Sequence, residues 1–149
     1  MGVRSTVKAI ILDRGKILLN QCYDEVIGTY YSLPGGGQNQ YETMHDALVR
    51  ECAEETGYRV EPVRFAALLE EINTDAALRS AHPDYAHKML HVFVCRLASP
   101  IPTAPTERDV AQVRCEWIPL GAMHTVNLLP EVIGEHMREL TEGETPLFL

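Results

Sequence analysis

The chain is short of positive charge. It has 13 Lys and Arg against 21 Asp and Glu, a formal net charge of −8. That balance argues against non-specific attraction to nucleic acid or to an anionic membrane surface, so neither is expected as a partner. Long hydrophobic runs are missing as well. No stretch approaches the ~20 apolar residues of a bilayer-spanning helix, and the opening MGVRSTVKAIILDRGK lacks the apolar core of a secretion signal. The expected compartment is the cytoplasm. Cysteine is sparse too. Cys22, Cys52, Cys95 and Cys115 form no CxxC pair and no Cys/His cluster with zinc-finger spacing. Each lies in an apolar or mixed segment, which predicts reduced core thiols.

What is present is ordinary globular material. Apolar residues make up 46% and charged residues 23% of 149 positions. This is enough for one core and one domain over residues 1–149. RSTVKAIIL (4–12) and KILLNQC (16–22) read as a hairpin across the turn DRGK. TYYSL (29–33) reads as a short strand that ends in PGGG, which the three glycines should prevent from continuing any regular element. A helix is expected over 42–56, with Thr43 and Asp46 as its capping signal and Gly57 as its stop. Residues 58–72 read as β structure broken at Pro62, 73–88 as a polar loop, and 89–97 as a central strand apolar on both faces. A proline-rich loop (99–109), a strand (113–120), a second amphipathic helix (128–140) and a tail (141–149) complete the order. The fold class is mixed α/β, with a mixed central sheet between helices.

One segment stands apart: RECAEETGY, residues 50–58. Glu51, Glu54 and Glu55 are spaced i, i+3, i+4 and share one helical face, where like charges repel. They fall beside the apolar stripe of Leu48, Val49 and Cys52, not opposite it. A merely solvated acidic row more often lies on the far side. Hard divalent cations prefer oxygen ligands of this kind.

Joined to the glycine loop, the segment becomes GGGQNQYETMHDALVRECAEETG. Gly36, Glu42, Arg50, Glu51, Glu54, Glu55 and Gly57 then stand at the identities and spacings that resemble the Nudix box of the Nudix hydrolases, a MutT-like pattern covering residues 36–57. The strand ending in LPGG and the WIPL strand near the second helix are similar as well. Cys52 and Tyr58 depart from the pattern, which prefers aliphatic residues there. Cys52 should still pack as a small hydrophobe.

The resemblance implies an α/β/α sandwich and a divalent-metal-dependent pyrophosphohydrolase. Such an enzyme cleaves a nucleoside diphosphate linked to another moiety by water attack on phosphorus. It implies Mg²⁺ or Mn²⁺ as cofactor. Glu51, Glu54 and Glu55 are the implied metal ligands, with Glu55 the central one and Glu51 a candidate for assisting the attacking water. The carbonyl of Gly35 or Gly36 is a further candidate ligand, with Gly36 the one favoured. Arg50 is expected to orient the carboxylates, and Glu42 to support the junction between loop and helix. Gly35, Gly36 and Gly37 allow close approach of the substrate. Tyr31 is a candidate to stack on a nucleobase, against the plainer reading of core packing. Glu107 or Asp109 is a candidate to add an acid from beyond the box. A homodimer is possible, since dimers are common in the family.

His87 and His91, four apart, fall in a strand and are not expected to bind zinc, and Trp117 reads as core. Nothing after the box marks a subfamily. EEINTDAA lacks the proline of ADP-ribose-type members and the tyrosine of the dinucleoside polyphosphate group. Two rivals remain: a non-catalytic Nudix-like nucleotide-binding or sensor domain, and a Nudix-fold isomerase acting on an isoprenoid diphosphate. The first usually shows eroded box glutamates, and the second needs additional Cys and Glu motifs.

Overall fold

The computed structural model describes residues 2–107 and 111–149. Alternation of apolar residues builds the first hairpin, β1 (Arg4–Asp13) and β2 (Lys16–Asp24), paired from Ile11↔Leu18 to Asp13↔Lys16. β3 (Gly28–Ser32) pairs with β2, and β4 (Gly35–Gly37) pairs with the first half of β1. Helix α1 (Met44–Thr56) follows, then β5 (Val60–Ile72), α2 (Ala76–Ala81), a 3₁₀ turn (Pro83–Tyr85) and β6 (His87–Leu97). The chain closes with β7 (Gln112–Pro119), a 3₁₀ turn (Leu120–Thr125), α3 (Glu131–Glu135), α4 (Met137–Glu142) and β8 (Leu147–Phe148). The strands form one sheet in the order β3-β2-β1-β6-β5-β8, with β4 on β1 and β7 on β2. The β1–β6 and β5–β8 pairs are parallel and the others antiparallel, so the sheet is mixed as expected.

Period-two alternation splits the core between the two faces. Val7, Ala9 and Ile11 of β1 pack with Leu48 and Cys52 of α1. Ile10, Leu90 and Val92 pack with Ile133, Met137 and Leu140 of α3 and α4 on the other face. β6 contributes to both clusters and lies between β1 and β5, which is why it is apolar on both sides. All four cysteines are free thiols, three of them buried. Burial pushes the Cys52 thiol well above its usual range and the Cys95 thiol up to about 12.

Several expectations need correction. Gly35–Gly37 is not an irregular loop but a strand. The absence of Cβ is what permits it: at Gly35, with φ 142°, a Cβ would stand 2.0 Å from the Val7 carbonyl oxygen. Helix α1 starts at Met44, because Thr43 is the cap and its Oγ1 accepts the Asp46 N–H at 3.1 Å. β5 is not broken at Pro62. It bulges there against β6, and its pairing with β8 begins only at Ala67, so the missing N–H interrupts no second ladder. The 73–88 stretch contains α2, capped by Asp75, a 3₁₀ turn and the first residues of β6. The second helix is two short ones. The chain leaves helical geometry at His136 (φ −107°, ψ 13°), two residues after Gly134. The tail returns to the sheet as β8. No helix among the described residues is long and apolar enough to cross a membrane.

Candidate active site

β4 and α1 together bring the box into one place. Gly57 ends α1 in the left-handed region, φ 77°, donating its N–H to the Ala53 carbonyl. The helix is thereby fixed at both ends, and its acidic edge faces the strand of glycines. A cleft of about 300 Å³ opens there. Its walls include Gly35–Gly37, Arg50, Glu51, Glu54, Glu55 and Glu107.

Arg50 is the hub of the acidic edge. Its Nε donates to Glu42 Oε1 at 2.7 Å, and its Nη2 donates to Glu42 Oε2 and to the Gly37 carbonyl, both at 3.0 Å. Nη1 reaches Glu51 Oε1 at 3.0 Å and Glu54 Oε2 at 3.3 Å. One guanidinium thus offsets part of the repulsion within RECAEETG. The Arg50 hydrogen bonds, with the Asn39 N–H, hold the Glu42 carboxyl down at about 2. Glu42 therefore ties the turn after β4 to α1.

Glu55 is held differently. It is 3% exposed, and its Oε2 accepts from Asn20 Nδ2 at 2.8 Å and from the Gly35 N–H at 3.1 Å. Asn20 is in turn fixed by Gln112, whose Nε2 donates to Asn20 Oδ1 (3.2 Å) and to the Glu55 carbonyl (3.1 Å). A buried carboxylate needs such donors to remain buried. The Glu51 carboxylate lies against β4: a Cβ at Gly36 would meet its atoms at 2.6–2.7 Å.

Among the described residues, no three His, Cys, Asp or Glu side chains are already gathered as a metal-holding group. Glu51 and Glu54 turn toward Arg50, whereas Glu55 turns toward Asn20. Glu107 lines the cleft and donates its N–H to the Glu54 carbonyl at 2.9 Å, whereas Asp109 lies outside the described residues. Tyr31 is not brought to the cleft. Its ring packs against the core and its hydroxyl donates to Glu116 at 2.9 Å. His87 pairs with Glu70 and His91 with the Thr6 carbonyl.

Sequence reasoning missed Asn20, Gln112, Arg4, Lys8 and Lys88, of which Arg4, Lys8 and Lys88 line the cleft. Asn20 had a signal, an amide at an inward position of the apolar alternation in ILLNQC. The polar alternation Arg4, Thr6, Lys8 in β1 was another.

The NUDIX domain model matches residues 2–142. No curated protein matches the sequence. Among solved structures, a Nudix hydrolase from Nitrosomonas europaea is similar at TM-score 0.72 and 19% identity, covering 98% of this chain and 94% of that one. An ADP-ribose pyrophosphatase from Streptococcus suis gives TM-score 0.63 and 22% identity over 99% and 98% of the two chains. A MutT Nudix hydrolase from Burkholderia pseudomallei gives 0.60 and 24% over 81% and 86%. With the domain matched over nearly its whole length and the box residues assembled around one cleft, the chain belongs to the Nudix hydrolase family.

Proposed function

We propose that the protein is a divalent-metal-dependent pyrophosphohydrolase that cleaves a nucleoside diphosphate linked to a second moiety, with water attacking phosphorus. The observation that carries this is the juxtaposition of Glu51, Glu54 and Glu55 with the backbone of Gly35–Gly37 in one cleft. The donor set is all oxygen and largely anionic, which fits Mg²⁺ or Mn²⁺ better than a softer metal. Glu51, Glu54 and Glu55, with a carbonyl of the glycine strand, are the groups that would hold the ion. When bound, it neutralises the diphosphate and acidifies water.

The chain's own residues do the rest. Arg50 orients Glu51 and Glu54, and Asn20 with the Gly35 N–H fixes Glu55. Glu51, over Gly36, is the candidate to accept a proton from the attacking water. The absence of a side chain at Gly36 leaves room for the Glu51 carboxylate against the β4 backbone, where a Cβ would stand 2.6–2.7 Å from it.

The test is a hydrolysis panel of nucleoside triphosphates, oxidised nucleotides, ADP-ribose, nucleotide sugars and dinucleoside polyphosphates, with and without Mg²⁺. Cleavage that needs the ion and falls at least ~10²-fold in Glu55→Gln, with the melting temperature kept, supports the reading. Equal turnover in Glu55→Gln overturns it. Tight nucleotide binding with no product from any compound favours a sensor domain instead.

A further inference from the structure

The chain has few cations, yet three of them stand along one stretch of the sheet floor. β1 and β6 run parallel in the register Arg4↔Lys88, Thr6↔Leu90 and Lys8↔Val92, so these six side chains share a face. Arg4, Lys8 and Lys88 line the cleft that holds Glu51, Glu54 and Glu55. Lys8, Lys88 and Leu90 also line a second cavity of about 190 Å³. Its remaining walls are mostly apolar, among them Leu33, Val92, Pro130 and Ile133. The two lysines therefore mark the border between an acidic compartment and an apolar one.

The surroundings of each cation differ. Lys88 is paired with Glu71 at 3.1 Å. Among the described residues, neither Arg4 nor Lys8 has a carboxylate partner. Among the described residues, the hydrogen bonds of Lys8 Nζ are long ones, to the carbonyls of Gly35 (3.4 Å) and Leu33 (3.5 Å). The Arg4 guanidinium is lodged where a side chain at residue 37 would be, since a Cβ on Gly37 would stand 2.2 Å from its Nη2. It also stacks over the Tyr85 ring, with Cζ 4.7 Å from the ring centroid. In a protein of net charge −8, cations left without carboxylate partners at a cleft are suited to an anion from outside.

We propose that Arg4, Lys8 and Lys88 hold the diphosphate of the substrate, and that the second cavity takes one uncharged, ring-sized group attached to it. This rests on the pyrophosphohydrolase reading and gives the substrate a direction. Phosphorus lies at the glutamate end, and the organic moiety lies past the Lys8–Lys88 border against Leu90 and Val92.

The experiment is calorimetric titration of the intact chain with methylenediphosphonate and, separately, with ADP, both with Mg²⁺ present. Arg4→Gln and Lys8→Gln should each weaken diphosphonate binding about tenfold, the scale of a lost charge-assisted hydrogen bond. Arg4→Lys should recover part of the loss. Lys16→Gln, which removes one exposed charge from the β1–β2 turn, should change nothing. Affinities within twofold of the unaltered chain in both Gln variants, with thermal unfolding unchanged, overturn the cation subsite. Ser32→Phe, which narrows the second cavity, should weaken ADP but not diphosphonate. ADP binding that is no tighter than diphosphonate, or is untouched by Ser32→Phe, overturns the second half. The hydrolysis panel separates the two claims. Glu55-dependent cleavage with neutral Arg4 and Lys8 variants removes the subsite and keeps the activity. Variant-sensitive diphosphonate binding without any hydrolysis does the reverse.

Discussion

Two helical pieces border the same cleft and are built on opposite terms. α1 buries Ala47, Leu48, Cys52, Glu55 and Thr56, and its two ends are closed by the Thr43 side chain and by left-handed Gly57. The segment 73–85, which carries α2 and the following 3₁₀ turn, is exposed throughout. It closes on itself: the Asn73 N–H meets the Ala86 carbonyl at 2.7 Å, Asp75 caps α2, and Arg79 reaches the Asn73 carbonyl. Its aromatic contact with the cleft is Tyr85 over Arg4. Groups that perform chemistry need fixed geometry, which packing supplies. A segment held mainly by its own hydrogen bonds belongs to the low-stability end of a fold and is free to differ.

The comparison breaks most severely if α1 loses its end. Gly57 needs its positive φ, and a Cβ there would stand 1.7 Å from the Thr103 carbonyl oxygen. Thr103 in turn donates its N–H to the Gly57 carbonyl at 2.8 Å, which docks the proline-rich loop. Gly57→Ala combines left-handed strain with a backbone clash. It should cost about 2–4 kcal/mol in denaturant unfolding. A loss below ~0.5 kcal/mol would show that the loop, not α1, yields.

A smaller effect comes from the other end of the box. Arg50 and the Asn39 N–H lower the Glu42 carboxyl from an ordinary 4.5 to about 2. A depressed carboxyl stabilises the fold above its unfolded value and loses that contribution as pH falls through its folded value. Glu42 should therefore contribute stability at neutral pH that fades between about 4.5 and 2. Glu42→Gln should lower stability by about 1–2 kcal/mol at pH 7. It should also flatten the pH dependence across that window, as read by thermal unfolding. An unchanged acid limb would detach Glu42 from the junction.

The same contrast explains what was legible beforehand. α1 announced itself because its constraints are local: a cap, an apolar stripe, an acidic edge and a terminal glycine, all within 15 residues. The mixed sheet followed from alternation that local patterns also carry. What escaped depends on partners far along the chain. Glu55 is buried because Asn20 and Gln112, at separations of 35 and 57 residues, satisfy it. Gly35–Gly37 is a strand because β1 lies alongside, which no glycine propensity encodes. α2 was invisible for the opposite reason. It buries nothing, so it writes no apolar period into the sequence. Tyr31 looked available for stacking because its partner Glu116 is 85 residues away.

The smallest expected effect sharpens the comparison. Leu78 is the large apolar residue of α2, and it is 46% exposed. On α1, replacing buried Leu48 with a small residue would open a cavity and cost several kcal/mol, roughly 2–5. On α2, Leu78→Ser alters a side chain that is about half exposed and leaves the Asp75 cap in place. Its cost should stay within about 0.5 kcal/mol, the range of surface substitutions. Diphosphonate affinity should stay unchanged too, because Tyr85 and not α2 touches Arg4. A larger loss of stability would mean that Leu78 is covered in solution, and the 73–85 segment would then be a packed element like α1.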